Sequence, residues 1–495
     1  MGYRSAPPAP QTLFFHDYET SGLDKARDRP MQFAGIRTDL NLNPIGEPVS
    51  MFCKLAPDTV PDPGACLLTG ISPARCEAEG LTEADFARGV EDALGRPGTC
   101  GVGFNTIRFD DEITRHLLFR TMRDPYQREW ANGNSRWDIV DLVRAVYALY
   151  PSVMQWPRDA EGRVSFRLEN LAEANGLPKT RAHDALSDVE TTVALARLVR
   201  DRVPQLFHHH FNLRLKKNVQ PLFNFTDQTP LFHVSGLYGV DRACVAPVIP
   251  LAVHPTQANV YIVFDLMADP TPLLGLSSEE ISDRVFRAEK GHRLPLTMIY
   301  ANKSPVLLTP DQVKILGVER LGTTFDKQVC AEHWKLLRTH RKDLELKVQG
   351  VYGNSDRLYV DNDPELCLYS GFASNDDRRR FERLQSLSPT QLATAEIDFD
   401  NPIYGELLFR HRARNWPETL SEQETLRWQS FLTDRLTTGG AIAGRTLEDF
   451  HKRLAECQAD PATAGNPMIA ELQEWAIARG AALAPAPVRS PRPSI

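Results

Sequence analysis

The sequence predicts an α/β chain of several domains, and three observations carry that prediction. A length of 495 residues exceeds what a single hydrophobic core holds and, at about 150 residues per domain, implies about three. Strand-like runs come first and then alternate with amphipathic helices up to about residue 203, the pattern of an α/β layer. Beyond it, short β-like runs broken by Pro, Gly and Asn give way after residue 364 to helical periodicity. The expected domains are 12–203, a β-rich 204–352 with inserted helices, and a helical 355–480. Residues 484–495 are expected to form a disordered tail.

The elements follow in order. Leu13–Phe15 opens an apolar run that continues as His-Asp-Tyr-Glu-Thr, a strand whose end turns polar. Further strands fall at Gln32–Arg37 and Met51–Lys54. Gly101–Phe104 is a short strand, followed by Asn105 and a helix from Asp110 with Ile113, Leu117 and Leu118 on one face. A second helix carries Ile139, Leu142, Val143, Val146 and Leu149 at spacings of three and four. A third, from about Ser187, aligns Val189, Val193, Ala196 and Val199 and stops before Pro204.

In the second region Pro230–Val234, Val260–Phe264 and Leu296–Tyr300 read as strands and Ala331–Lys347 as a helix. The turn-rich Gly350–Pro364 leads to helices at Asp377–Leu387, Glu422–Leu432 and Thr446–Cys457. The Ala-Pro-rich Ala484–Ile495 has no periodic apolar residues, hence the expectation of disorder. No internal repeat is visible.

Composition is ordinary for a globular protein, with 42% hydrophobic, 24% charged and 8% aromatic residues. Against 57 basic side chains stand 64 acidic ones, a net −7, so no global basic field marks a polyanionic partner. Any such binding must come from local basic patches or a bound metal. The eight cysteines, Cys53, Cys66, Cys76, Cys100, Cys244, Cys330, Cys367 and Cys457, are scattered without a C-x-x-C pair. That argues against a zinc site or a disulfide scaffold and fits reduced thiols. No run of 18 apolar residues occurs and Met1–Pro10 has no hydrophobic signal core, while Ala6 stands where a myristoylation signal after Gly2 needs Ser or Thr. A soluble cytoplasmic protein with no membrane association is expected. Patterns of the G-x-G-x-x-G, Walker A and nucleophile-elbow types are missing from the sequence.

Chemistry concentrates in the acids of the first region. Asp17 and Glu19 stand two apart at a strand end, so both carboxylates point to one side of the sheet. Two carboxylates that close repel, and a divalent cation removes the penalty; the alternative is a solvated strand end. Asp110 and Asp111 sit where a strand passes into a helix, a place where Asp also serves as an N-cap. In His183-Asp184-Ala185-Leu186-Ser187-Asp188, the helix start is either Asp184 or a Ser187/Glu190 capping box. His183 and Asp188 would lie about 140° apart on a regular helix, so they converge only if His183 lies outside it.

In the order D-x-E, F-D, H-x4-D, this set resembles the DEDDh exonucleases of the DnaQ-like family, whose catalytic domain has a ribonuclease-H-like fold. Three accessory segments support the resemblance. Leu68-Thr69-Gly70-Ile71-Ser72 is similar to the family's substrate loop, Asn105 precedes the third motif, and Ser135-Arg136-Trp137-Asp138 is similar to the start of its following helix.

A closer resemblance, to the bacterial exonuclease I family, rests on longer motifs. These are Phe15-His16-Asp17-Tyr18-Glu19-Thr20, Asp28-Arg29-Pro30, Arg108-Phe109-Asp110-Asp111-Glu112, Ser165-Phe166-Arg167-Leu168-Glu169 and Arg412-Ala413-Arg414-Asn415-Trp416-Pro417. The departures are Ser21 where the family has Phe, loop lengths in the middle region, and the Pro-rich extension.

That resemblance implies processive digestion of single-stranded DNA from the 3′ end. It also implies an exonuclease domain, a Src-homology-3-like barrel and a helical C-terminal domain arranged as a C-shaped clamp. Two Mg²⁺ ions are implied as cofactors, with Mn²⁺ as a substitute, held by Asp17, Glu19, Asp110 and Asp188. Asp17 would bridge the two ions, Glu19 and Asp188 would serve the ion on the attacking-water side, and Asp110 the leaving-group side. His183 would be the general base.

Arg167 would contact the terminal nucleotide, with Glu19 also at the substrate. Arg115, Tyr126, Trp130 and Arg144 would line the strand's path and Lys216 would continue it. Asn302-Lys303-Ser304, Leu368–Phe372 and the run Arg378-Arg379-Arg380 are further candidates for contact. The acidic C-terminal tip of single-stranded DNA-binding protein is implied as a partner, with Arg338 and Arg341 as contributors, and the chain is expected to be a monomer. An RNA-trimming or proofreading exonuclease and a non-catalytic single-strand-binding scaffold are the competing readings.

Overall fold

The computed structural model describes residues 11–178, 184–289, 293–321, 325–353, 363–438 and 444–483. Its first sheet comprises β1 (Thr12–Thr20), β2 (Pro30–Thr38), β3 (Val49–Phe52), β4 (Thr99–Gly103) and β5 (Ser135–Asp138) in the order β3-β2-β1-β4-β5. β1 runs antiparallel to β2 and parallel to β4, and β4 runs parallel to β5. This is the ribonuclease-H-like arrangement that the resemblance implies. Helices α1 (Pro63–Thr69), α2 (Pro73–Glu79) and α3 (Glu83–Leu94) precede β4. After it come α4 (Asp110–Arg120), α5 (Ile139–Leu149), α6 (Leu168–Ala174), α7 (Ala185–Arg202) and α8 (Pro204–Leu213).

β1 is covered on both faces, which is why it reads as an apolar run rather than an alternation. Leu13 and Phe15 face a core shared with Leu142 and Val146 of α5 and Val189 and Val193 of α7. Phe14 and Tyr18 face a second core with Phe86 and Val90 of α3 and Ile113 and Leu117 of α4. Asp17 and Glu19 therefore continue the row of Leu13 and Phe15, on the side of the sheet that α7 covers. Pro204, excluded from the interior of α7, opens α8 at its first turn, where its missing N–H costs nothing.

Two expectations change. Ser135–Asp138 begins no helix; it is strand β5, paired with β4 from Cys100↔Ser135 to Gly103↔Asp138. Four residues show no period, and the helix starts one residue later, where the Asp138 carboxylate caps α5 by accepting the Val140 N–H. The single helix expected at Ala331–Lys347 is two, Lys327–Thr339 and Arg341–Gly353, separated at His340, and the second runs into the segment read as turn-rich.

The second domain is an antiparallel five-stranded sheet. Its strands are β6 (Leu231–Val234), β7 (Val245–Val253), β8 (Val260–Asp265), β9 (Leu296–Tyr300) and β10 (Val306–Leu308), in the order β10-β6-β7-β8-β9. β7 carries two prolines, which hide it in the sequence; Pro250 lies at a break in register opposite β8.

The third domain is helical and packs back onto the first. Phe450, Leu454 and Leu472 share a core with Met31, Leu55, Val60 and Ile71. Phe381, Leu384 and Tyr404 close over Phe119 and Met122. Between these cores lies a buried ionic network. Arg29 pairs with Glu83 (2.7 Å) and Glu365 (2.9 Å), Arg410 with Asp363 (2.7 Å), and Arg435 with Asp58 and Asp363 (3.3 Å each). All eight cysteines are buried. Among the described residues no helix is long and apolar enough to cross a membrane.

Candidate active site

Three carboxylates meet where β1 ends against the start of α7. Asp17, Glu19 and Asp188 each offer an oxygen, and these oxygens all lie within 4.8 Å of one another. Asp188 reaches this place because α7 begins at Ala185: Asp184 is its N-cap, accepting the Ser187 N–H at 3.3 Å, which puts Asp188 in the first turn. The alternative capping box at Ser187 and Glu190 is not the start of the helix. His183 lies outside the described residues.

Asp110 arrives from the other side. β4 passes so close to β1 at Gly103 that a Cβ there would stand 2.7 Å from the His16 carbonyl oxygen, so glycine is required. Asn105 then turns in the left-handed region, φ 67°, and its N–H is held by Asp138 Oδ1 at 2.8 Å, with the Ile107 N–H donating to Oδ2 at 3.2 Å. The chain is delivered into α4 with Asp110 as its first residue. Asp110 is not the helix cap: its Oδ1 accepts the Tyr18 N–H of β1 at 3.1 Å, between the two strand acids in sequence.

The electrostatics follow from burial and crowding. Desolvation, then Asp110, Glu19 and Asp188 hold the Asp17 carboxyl well above its ordinary range. Desolvation, then Asp188, Asp110 and Asp184, push Glu19 up to about 8, and desolvation together with Asp111 pushes Asp110 to about 8. Without a counter-charge the cluster keeps protons at neutral pH, and a divalent cation is the natural replacement for them. The donor set is all carboxylate oxygen, with no sulfur or imidazole among the described members, which suits a hard cation such as Mg²⁺. Asp111, next in sequence, has the opposite environment: Arg128 and Arg136 hold it well below the ordinary range despite its burial.

The residues expected along a strand's path divide into two groups. Arg167, at the N-cap position of α6, Lys216, just after α8, and Trp130 are exposed, Trp130 at 65%. Tyr126 is half-buried and donates its hydroxyl to the Leu368 carbonyl at 3.3 Å. Arg115 is buried and committed to Glu129 at 2.7 and 2.8 Å and to Glu112 at 2.7 Å. Arg144 pairs with Asp141 at 2.6 Å.

The basic run Arg378–Arg380 is neutralised. Arg378 faces Asp124, Arg379 faces Asp376, and Arg380 bridges Asp377 and Asp400. Arg341 donates to the carbonyls of Phe225 and Thr226, and the Arg338 guanidinium lies over the Trp334 ring at 5.2 Å. Phe372 remains 78% exposed beside Tyr126. Asn302 and Lys303 are exposed in the turn between β9 and β10. Sequence reasoning passed over the arginines around Asp111. Arg128 has no role in the sequence reading and Arg136 only its place in the Ser135–Asp138 segment; in sequence the two stand among five spaced arginines, Arg115, Arg120, Arg123, Arg128 and Arg136, with nothing local to mark them as partners of Asp111.

Family profiles divide the chain into three. The one described as Exonuclease matches residues 14–196, that of the Exonuclease I SH3-like domain 214–354, and that of the Exonuclease I C-terminal domain 362–478. The exodeoxyribonuclease I of Haemophilus influenzae is 39% identical over 456 residues, 91% of this chain and 95% of its own. The solved exonuclease I of Methylocaldum szegediense has a TM-score of 0.87 at 42% identity, over 95% of this chain and 99% of that one.

Escherichia coli exonuclease I in complex with a dA16 oligonucleotide has a TM-score of 0.87 at 36% identity, over 96% of this chain and 100% of its own. A zinc-bound E. coli exonuclease I complex with single-stranded DNA reaches 0.86 at 36% identity, covering 96% of this chain and 99% of that one. An SSB/exonuclease I structure reaches 0.83 at 37% identity, covering 95% and 100%.

Proposed function

The chain belongs to the exonuclease I family and is a single-stranded-DNA exonuclease; we propose that it works processively from the 3′ end, releasing 5′-mononucleotides in DNA repair and recombination. The observation that carries this reading is the convergence of Asp17, Glu19 and Asp188 within 4.8 Å, with Asp110 held against the same strand. A binding protein gains nothing from carboxylates forced together, whereas phosphodiester hydrolysis needs a cation site of this kind.

Divalent metal dependence follows from that site and from the family. Asp17, Glu19, Asp110 and Asp188 would hold two Mg²⁺ ions, or Mn²⁺ in their place. Bound there, the ions would neutralise charge on the scissile phosphate and make a water acidic enough to attack. His183 would act as the general base that takes the proton from the attacking water. Arg167 faces the terminal nucleotide, Trp130 offers a stacking face, and Lys216 carries the backbone toward the second domain. Arg115, Tyr126 and Arg144 shape the wall of the path through the bonds they make within the protein.

The domains are proposed as 12–203, 204–352 and 355–480. A strand passing among them is held near the site at high effective concentration, which is the physical basis proposed for processivity. The acidic tip of single-stranded DNA-binding protein is proposed as a docking partner, and the enzyme as a cytoplasmic monomer.

The test is degradation of 5′-labelled single-stranded DNA beside matched RNA and duplex, with Mg²⁺ or EDTA, and with His183→Ala as control. A descending ladder from the DNA alone, lost in EDTA and in the variant, is the expected result. Equal or faster loss of RNA would move the enzyme to RNA trimming, and binding without cleavage would make it a scaffold.

A further inference from the structure

The two aspartates that open α4 face different worlds. Asp110 touches β1 at the active site, while Asp111 turns into a cluster of arginines. Arg128 Nη2 donates to Asp111 Oδ1 at 2.6 Å and Arg136 Nη1 donates to Oδ2 at 2.9 Å, so each carboxylate oxygen has its own guanidinium. All three side chains are at least nine-tenths buried. Arg136 reaches two more acceptors: its Nε faces Glu129 Oε2 at 3.1 Å, and its Nη2 donates to the Asn302 carbonyl at 3.2 Å in the β9–β10 turn of the second domain. One side chain on β5 thus ties together α4, the turn bearing Glu129, and the second domain.

Consecutive helical residues cannot rotate independently, so a bond that fixes Asp111 fixes the first turn of α4 about its axis. A carboxylate on a helix lies about 5–6 Å from the axis, so a rotation of about 10° moves it about 1 Å. Misplacement on that scale is enough to cost about 10²-fold in rate. We propose that Arg136 is a positioning residue for the reaction: through Asp111 it sets the direction of the Asp110 carboxylate toward the metal site, and its bond to Asn302 braces that setting against the second domain. The planar guanidinium is needed because three separate acceptors must be met in fixed directions, which a lysine ammonium does not do.

The inference rests on the exonuclease reading, with Asp110 among the metal ligands. The test uses the full-length protein with Arg136→Lys and the isosteric Asp111→Asn, comparing kcat and KM on single-stranded DNA. Mn²⁺ binding without DNA is measured by titration calorimetry, a readout independent of turnover. Both variants should lose about tenfold or more in kcat, with KM for DNA within about twofold, and should bind Mn²⁺ about fivefold or more weakly.

Wild-type turnover and Mn²⁺ affinity in either folded variant would overturn the proposal. So would a loss of activity that follows thermal stability alone and leaves Mn²⁺ binding unchanged. If Arg136→Lys fails to fold, Asp111→Asn decides by the same readouts. Failure of the wild-type enzyme to degrade DNA would instead remove the functional reading, and the calorimetry would still report on the positioning.

Discussion

Arg414 of the third domain donates Nε and Nη2 to the two carboxylate oxygens of Asp58 in the first, at 2.9 and 2.7 Å, and both side chains are fully buried. The pair lies at the centre of the network that joins Arg29, Glu83, Glu365 and Arg435 across the seam between domains. It fixes how the helical domain sits on the layer that carries the active site.

Removing Arg414 strips buried Asp58 of its two short bonds and leaves its carboxylate only the longer contacts to Arg29 at 3.6 Å and Arg435 at 3.3 Å. Arg414→Met is expected to destabilise the protein by about 3–5 kcal/mol, read as a loss of unfolding free energy in urea. A change below about 1 kcal/mol would show that the seam is held by its apolar cores alone.

The same network sets the acid limit. Neighbouring arginines hold Asp58 and Glu365 below the ordinary carboxylate range, so each binds fewer protons folded than unfolded near pH 4. Their contribution is complete above that range and is lost as the pH falls through their lower folded values. The melting temperature of the wild type should drop steeply below about pH 4, and that of Asp58→Asn should start lower and drop less.

At the acidic cluster of the candidate site the sign is reversed. Glu19 rises from 4.5 to about 8 and Asp110 from 3.8 to about 8, so both bind more protons folded than unfolded in between. In EDTA, their contribution to stability should decline as the pH rises from about 4.5 to 8 and then level off, and saturating Mg²⁺ should abolish the decline. Asp17→Asn should raise the melting temperature in EDTA by about 2–5 °C while abolishing Mg²⁺-dependent cleavage. An unchanged or lower melting temperature would contradict the crowding argument.

His183→Ala should lose at least about 10²-fold in cleavage rate while keeping its affinity for single-stranded DNA, as measured by fluorescence anisotropy in Ca²⁺. Near-normal turnover would remove His183 from the mechanism.

Trp130, 65% exposed, is open to a base. Trp130→Ala should weaken single-stranded DNA binding by about 1–3 kcal/mol, the scale of one stacked base, with little change in melting temperature. Equal affinity would mean that the strand passes elsewhere.

Much of the first domain was legible because its signals are local. The apolar run ending in Asp17-Tyr18-Glu19 is β1, and the helix expected from Asp110 begins at Asp110. The periodic stripe Val189, Val193, Ala196, Val199 is the buried face of α7. The short β5 and the proline-bearing β7 were not legible, since four residues show no period and proline argues against a strand until its place at a bulge is known.

By itself the sequence determined the three-part plan, the family, and which acids in which order could serve a cation. Tertiary structure alone decided the state of each neighbour of the Asp110-Asp111 pair: Asp110 touches β1 and its carboxyl is pushed up, while Asp111 is locked by two arginines and held down. It also decided that the run Arg378–Arg380 is neutralised by Asp124, Asp376, Asp377 and Asp400, and that Asp58 meets a partner 356 residues away. The reason is physical. Local periodicity reports which face of an element is apolar, but the state of a charge depends on its loss of water and on the charges within about 4–6 Å, and packing sets both.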